Sequence, residues 1–113
     1  MPDNSPYRLA RIVGALINPG GDDPGRESVT IFNTSARALD VNGWSILDAH
    51  DKADTIDGQI PIGEARTFRL SGKGAQLSNK GGTITLLDRT GLKVDGVAYT
   101  KADAAREGAA IAF

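Results

Sequence analysis

Apolar residues recur at alternate positions in short runs, and glycine- or proline-bearing segments separate the runs. The first run starts at Tyr7. Leu9, Val13, Ala15 and Ile17 share one parity, while Ile12 and Leu16 add bulk on the other. A strand apolar on both faces is either covered on both or bends between sheets. Asn18-Pro19-Gly20-Gly21-Asp22-Asp23-Pro24-Gly25 ends it, because this composition supports neither a helix nor a central strand. Ser28 to Asn33 then alternates, with Val29 and Ile31 predicted inward and Thr30 outward. Phe32 has the wrong parity and is expected at the sandwich edge or in a partner surface.

Leu39 and Val41 keep the odd parity, but Trp44 and Ile46 are even. Gly43 lies between them, which predicts a β-bulge. Asp48 to Asp57 is a polar loop or a short edge strand. Pro61, between Ile60 and Ile62, makes that stretch an edge or a turn. Phe68 and Leu70 form the next alternating pair, and Ser71 to Lys80 is a glycine-bearing connection. Ile84 and Leu86, then Leu92 and Val94, predict a hairpin across Asp88-Arg89-Thr90-Gly91. Val97 and Tyr99 resume on the other parity after Asp95-Gly96, which predicts a second bulge. About seven to eight short strands at these spacings give an all-β sandwich. Thr100-Lys101-Ala102-Asp103 adds a short C-terminal helical turn capped by Thr100.

With 113 residues the chain is one domain. Residues 1–6, polar with two prolines, are expected as a flexible linker, and residues 7–113 as the sandwich. The 14 glycines and 5 prolines fit a turn-rich β protein. The absence of cysteine excludes disulfides, thiolate metal sites and thiol nucleophiles. A net charge of −1, with scattered basic residues, gives no general pull toward nucleic acid or anionic lipid. No apolar stretch approaches the ~20 residues of a membrane-spanning helix, so membrane insertion is not expected. The N-terminus lacks the features of a signal peptide, so a cytoplasmic protein is expected if Met1 is the native start.

The candidate chemistry is sparse. Trp44, the one tryptophan, is expected at the centre of the core rather than stacked on a ligand. His50, the one histidine, cannot form a multi-histidine metal site within one chain and is expected to be solvated. The acidic residues are more suggestive. Asp48, Asp51, Asp54 and Asp57 recur at every third position, and Asp22 and Asp23 occupy an earlier loop. Ca²⁺ takes six to eight oxygen ligands, which loops at one end of a sandwich can supply jointly. Asp22, Asp23, Asp48, Asp51 and Asp54 are therefore the candidate metal ligands. The plainer reading is a solvated acidic loop that keeps strand edges from pairing. Ser71-Gly72-Lys73-Gly74 lacks the full phosphate-loop pattern and is expected as a turn. Arg66 and Arg69, with Arg37 and Lys80, form at most a local basic face. Without interleaved aromatic residues, nucleic-acid binding is not the expectation.

Glu27 through Asn33, Asn42-Gly43-Trp44, Asp48, Gly82 through Asp88 and Gly91 form an ordered set that resembles the lamin-tail domain. That domain is the immunoglobulin-like sandwich of nuclear lamins, found also as single modules in bacterial proteins. The likeness runs from about Arg8 to Tyr99. It implies a non-catalytic recognition or tethering module and brings no catalytic residues. Nothing resembles the coiled-coil rod of lamins, so filament assembly is not implied with the fold.

Two function classes follow. In the first, the chain is a non-catalytic interaction module that binds another protein or an adjacent domain through an exposed edge strand or an apolar surface around Phe32, Ile62 or Phe113. In the second, it is an accessory domain of an enzyme or surface protein, with Ca²⁺ or carbohydrate bound by the acidic loops.

Overall fold

The computed structural model describes residues 5–17, 26–105, 108 and 110–113. The first strands are β1 (Ala10–Leu16), β2 (Ser28–Asn33), β3 (Leu39–Asp40), β4 (Trp44–Leu47) and β5 (Ala53–Ile56). They are followed by β6 (Gln59–Ile60), β7 (Ala65–Arg69), β8 (Gly81–Leu87), β9 (Lys93–Thr100) and β10 (Ile111–Ala112). Two four-stranded antiparallel sheets, ordered β10-β1-β2-β7 and β5-β4-β8-β9, are joined by the small pair β3-β6. The chain is an all-β sandwich. It has more strands than the seven to eight expected because β3, β6 and β10 pair over two residues each, too few to leave a periodic signature.

The core forms where the inward parity of both sheets meets. Ile12, Val29, Ile31, Ile46, Ile84, Leu86 and Val94 are fully buried there, with Trp44 beside them. Residues of this kind alternate on a pleated strand, so each strand delivers one face to the core.

Three parity breaks have two physical origins. In β1 the register against β2 shifts between Ile12 and Gly14, so Val13 is the extra residue of a bulge. Ala10 and Ile12 point inward before the bulge, Ala15 and Ile17 after it. In β9 the shift lies opposite Leu86 and Leu87, which turns both Val94 and Asp95 inward.

The third break corrects the expected bulge at Gly43. Trp44 donates its N–H to the carbonyl of Val41 (3.1 Å), and Gly43 has φ +80°. Val41 to Trp44 is therefore a tight turn between β3 and β4. The positive φ at its third residue is the reason glycine stands there.

The β8–β9 hairpin closes through Asp88, which accepts the N–H groups of Thr90 and Leu92 at 2.9 and 3.0 Å. Leu92 lies outside β9 and is 55% exposed, so it belongs to the turn rather than to the core pair expected of it. After β9, Asp103 N–H donates to Thr100 Oγ1 (3.2 Å), and Thr100 N–H donates to Asp103 Oδ2 (2.8 Å). This reciprocal cap starts a 3₁₀ turn, Asp103–Ala105, which buries Ala104 against the sandwich.

Residues 1–4 of the expected linker lie outside the described residues. Pro6, at its end, is buried, and its carbonyl accepts the Leu9 N–H at 3.0 Å. Among the described residues no helix is long and apolar enough to cross a membrane.

Candidate functional site

Two regions of the sandwich carry the polar chemistry. The first is the end where the β4–β5 turn meets residues 71–80. Asp48 directly follows β4 and is 4% exposed. Its Oδ1 accepts the N–H groups of His50 (2.8 Å) and Lys52 (3.0 Å), and its Oδ2 accepts that of Gln76 (3.0 Å). Burial pushes the Asp48 carboxyl up, but the three backbone amides outweigh it and hold the group below the ordinary aspartate range. Glu27 makes a parallel contact, accepting the Leu77 N–H at 2.9 Å. Burial raises its carboxyl above the usual glutamate value. The Leu77 amide opposes this, and the nearby charge of Asp48 adds to it.

Tyr99 completes the group. Its hydroxyl donates to the Ser78 carbonyl (2.7 Å), and burial together with the charges of Glu27 and Asp48 pushes it up to about 12. The phenol therefore stays a donor. Asp54 accepts the Ser71 hydroxyl at 2.6 Å. Three carboxylates and a phenol thus fasten one loop, which buries Ala75 and Leu77. Sequence reasoning singled out Asp48 and Asp54 but missed what Tyr99 does there. Partners 28, 50 and 21 residues apart leave no local signal.

Of the candidate metal ligands, the structure describes Asp48, Asp51 and Asp54. Asp48 faces inward to backbone amides. Asp51 is exposed in the turn with φ +61°, and Asp54 is bonded to Ser71. Asp22 and Asp23 lie outside the described residues. Among the described residues no three acidic or histidine side chains converge as a metal-holding group. His50 is exposed.

The second region is the outer face of the β10-β1-β2-β7 sheet with its edge at β7. The register places Phe32 opposite Arg11 on one side and Ala65 on the other, all directed away from the core. Phe32 is half-buried on β2, an inner strand, so it lies in mid-face and not at the sandwich edge. Ile62 is 58% exposed in the turn that leads into β7, where Glu64 N–H donates to the Pro61 carbonyl (3.2 Å). Phe32 and Ile62 thus flank the start of β7. Phe113 is 39% exposed on the other side of the sheet, where its N–H donates to the Val13 carbonyl (3.0 Å).

Thr30 and Thr67 face each other across β2 and β7 with their hydroxyls 2.7 Å apart. Arg66 reaches from β7 toward β6. Its Nη1 donates to the Gln59 carbonyl (3.3 Å), and its guanidinium stands 5.2 Å from the centre of the Phe68 ring. Of the four expected basic positions, Arg66 and Arg69 both lie on β7, but three residues apart and so on opposite faces of the strand.

No protein-family model matches the chain, and no curated protein matches it.

Proposed function

We propose that the domain is a non-catalytic interaction module of lamin-tail type, which binds another protein or an adjacent domain. One observation carries this reading: the exposed Ile62 stands in the turn that leads into β7, an exposed strand whose Ala65 lies opposite Phe32 on the outer sheet face. An exposed apolar side chain such as Ile62, set beside a strand edge, suits recognition by main-chain pairing with side-chain anchoring. The buried acids support the same reading. Asp48 and Asp95 are spent on backbone amides, so their chemistry goes into building loops and joining sheets.

The test is site-specific photocrosslinking in the organism that carries the protein. A benzophenone side chain replaces Ile62 in one variant and Leu92, equally exposed on the distant hairpin, in another. A discrete adduct from position 62 and none from position 92 is the expected outcome. Equal adducts from both, or none from either, would reject the surface.

A further inference from the structure

We infer that Asn42-Gly43 is a latent site of spontaneous covalent modification, a deamidation site that the β3–β4 turn holds closed and that local opening at residues 56–58 releases. The inference is independent of the proposed interaction function.

Of the asparagines at positions 4, 18, 33, 42 and 79, only Asn42 precedes a glycine. That neighbour matters because the attacking atom is the main-chain nitrogen of the next residue, and glycine carries no side chain to shield it. The Gly43 amide loses its proton to hydroxide, and its nitrogen lone pair attacks Asn42 Cγ. The Cγ–Nδ2 bond breaks, Nδ2 takes a proton from water, and ammonia leaves behind a succinimide ring. Water then opens the ring. Cleavage at Cγ gives aspartate. Cleavage at the main-chain carbonyl carbon gives isoaspartate, in which the chain runs through Cβ and Cγ. Asparagine and water thus yield either acid and ammonia, with no change of oxidation state.

Both atoms that must meet are tied to the segment that follows β5. Gly43 N–H donates to the Ile56 carbonyl at 3.0 Å. This bond stabilises the protonated amide, whereas the deprotonated nitrogen would face a carbonyl oxygen. Asn42 Oδ1 accepts the Gly58 N–H at 2.8 Å, from 16 residues along the chain. Cγ carries that oxygen, so bringing it onto the Gly43 nitrogen works against the bond to Gly58. Val41 N–H donates to the Gly58 carbonyl and Asn42 N–H to Asp40 Oδ1, both at 2.9 Å, which secures the turn further. Asn42 and Gly43 are exposed, so hydroxide and water reach them once these bonds open.

Asp57-Gly58 and Asp95-Gly96 could close the same ring, but their carboxylates repel the nucleophile, and Asp95 is buried against the Ile12 N–H. Isoaspartate at position 42 adds one C–C bond, about 1.5 Å, to the main chain inside a tight turn. The bond from Trp44 N–H to the Val41 carbonyl spans that insertion. The lesion therefore falls where β3 meets β6 and β4 meets β5.

The test incubates the chain at mildly alkaline pH, folded in buffer and unfolded in guanidinium. Mass spectrometry follows the tryptic peptide from Ala38 to Lys52. Asn42 is expected to convert at least about tenfold faster in the unfolded chain, and there ahead of Asn79. In guanidinium too dilute to unfold the domain, conversion is expected to quicken in step with hydrogen exchange at the Gly43 and Gly58 amides. Equal rates in the folded and unfolded chain, or at Asn42 and Asn79 once unfolded, would overturn the inference. So would a folded-state rate that does not follow exchange at those two amides. The refolded isoaspartate chain is expected to lose exchange protection at Gly43 and Gly58. Asn42→Asp, which brings the charge without the added methylene, is expected to keep it. Equal loss in both would overturn the assignment of the lesion to the lengthened main chain.

Discussion

The carboxylate of Asp95 accepts the backbone N–H of Ile12 at 2.7 Å, across 83 residues of sequence and from one sheet to the other. The bulge in β9 turns Asp95 inward, and the bulge in β1 lies immediately after Ile12. Two irregularities in different sheets thus meet at one hydrogen bond. Arg11 Nε lies 3.6 Å from the same oxygen, as a half-exposed counterion to a buried acid.

Removing that acceptor leaves a buried donor without a partner. Asp95→Ala is expected to destabilise the domain by about 3 kcal/mol, and Asp95→Asn, which keeps an oxygen but loses the charge, by about 1 kcal/mol. Urea denaturation midpoints check this. Equal losses in the two variants would mean that the oxygen contributes little.

Asp48 and Glu27 give the acid limb of stability opposite slopes. The folded Asp48 carboxyl is lowered, so its contribution is present above the unfolded value and is lost as the pH falls through the folded one. The folded Glu27 carboxyl is raised, so its contribution is present at low pH and is lost as the pH rises through the folded value. Asp48→Asn is expected to flatten the fall in stability between about pH 5 and pH 2. Its amide also sets a donor against backbone donors, costing about 2 kcal/mol at neutral pH. Glu27→Gln is expected to steepen the acid fall and to raise stability at neutral pH. Denaturation midpoints across the pH range read both signs.

Two glycines separate close approach from backbone conformation. A Cβ at Gly74 would run into the Ala53 carbonyl oxygen, and neither backbone segment moves without releasing the loop from β5. Gly74→Ala is expected to cost about 2 kcal/mol. Gly91 has φ +87° and open space around it, so Gly91→Ala is expected to cost about 1 kcal/mol from backbone strain alone. Asn, which tolerates this conformation, is expected to recover much of the loss at position 91 and none at position 74. Thermal denaturation of the four variants tests the distinction.

The reciprocal cap between Thr100 and Asp103 holds the 3₁₀ turn that docks Ala104. Thr100→Ala is expected to cost about 1 kcal/mol. Hydrogen exchange at Asp103 and Ala105 should quicken more than exchange in β8. Uniform quickening across the sandwich would show that the cap acts on the whole fold instead.

The sequence by itself determined the strands that alternate, the hairpin turn at Asp88 to Gly91, the inward set around Trp44 and the Thr100 cap. These depend on neighbours a few positions away, where side-chain parity, turn conformation and capping operate. The parity breaks at Val41 to Trp44 and at Val94 to Val97 were visible as well, and both were read as bulges. What relieves a break was legible only in part: the second is a bulge but the first is a tight turn, the bulge at Val13 was not foreseen, and cross-strand partners decide among these. Only the tertiary structure decided what the acids do. Asp48, Asp54, Glu27 and Asp95 look alike along the chain, yet three clamp the loop at residues 71–80 and one joins the sheets. A hydrogen bond reaches about 3 Å, and the partners that satisfy these groups are brought within that distance only when strands far apart in sequence pack together.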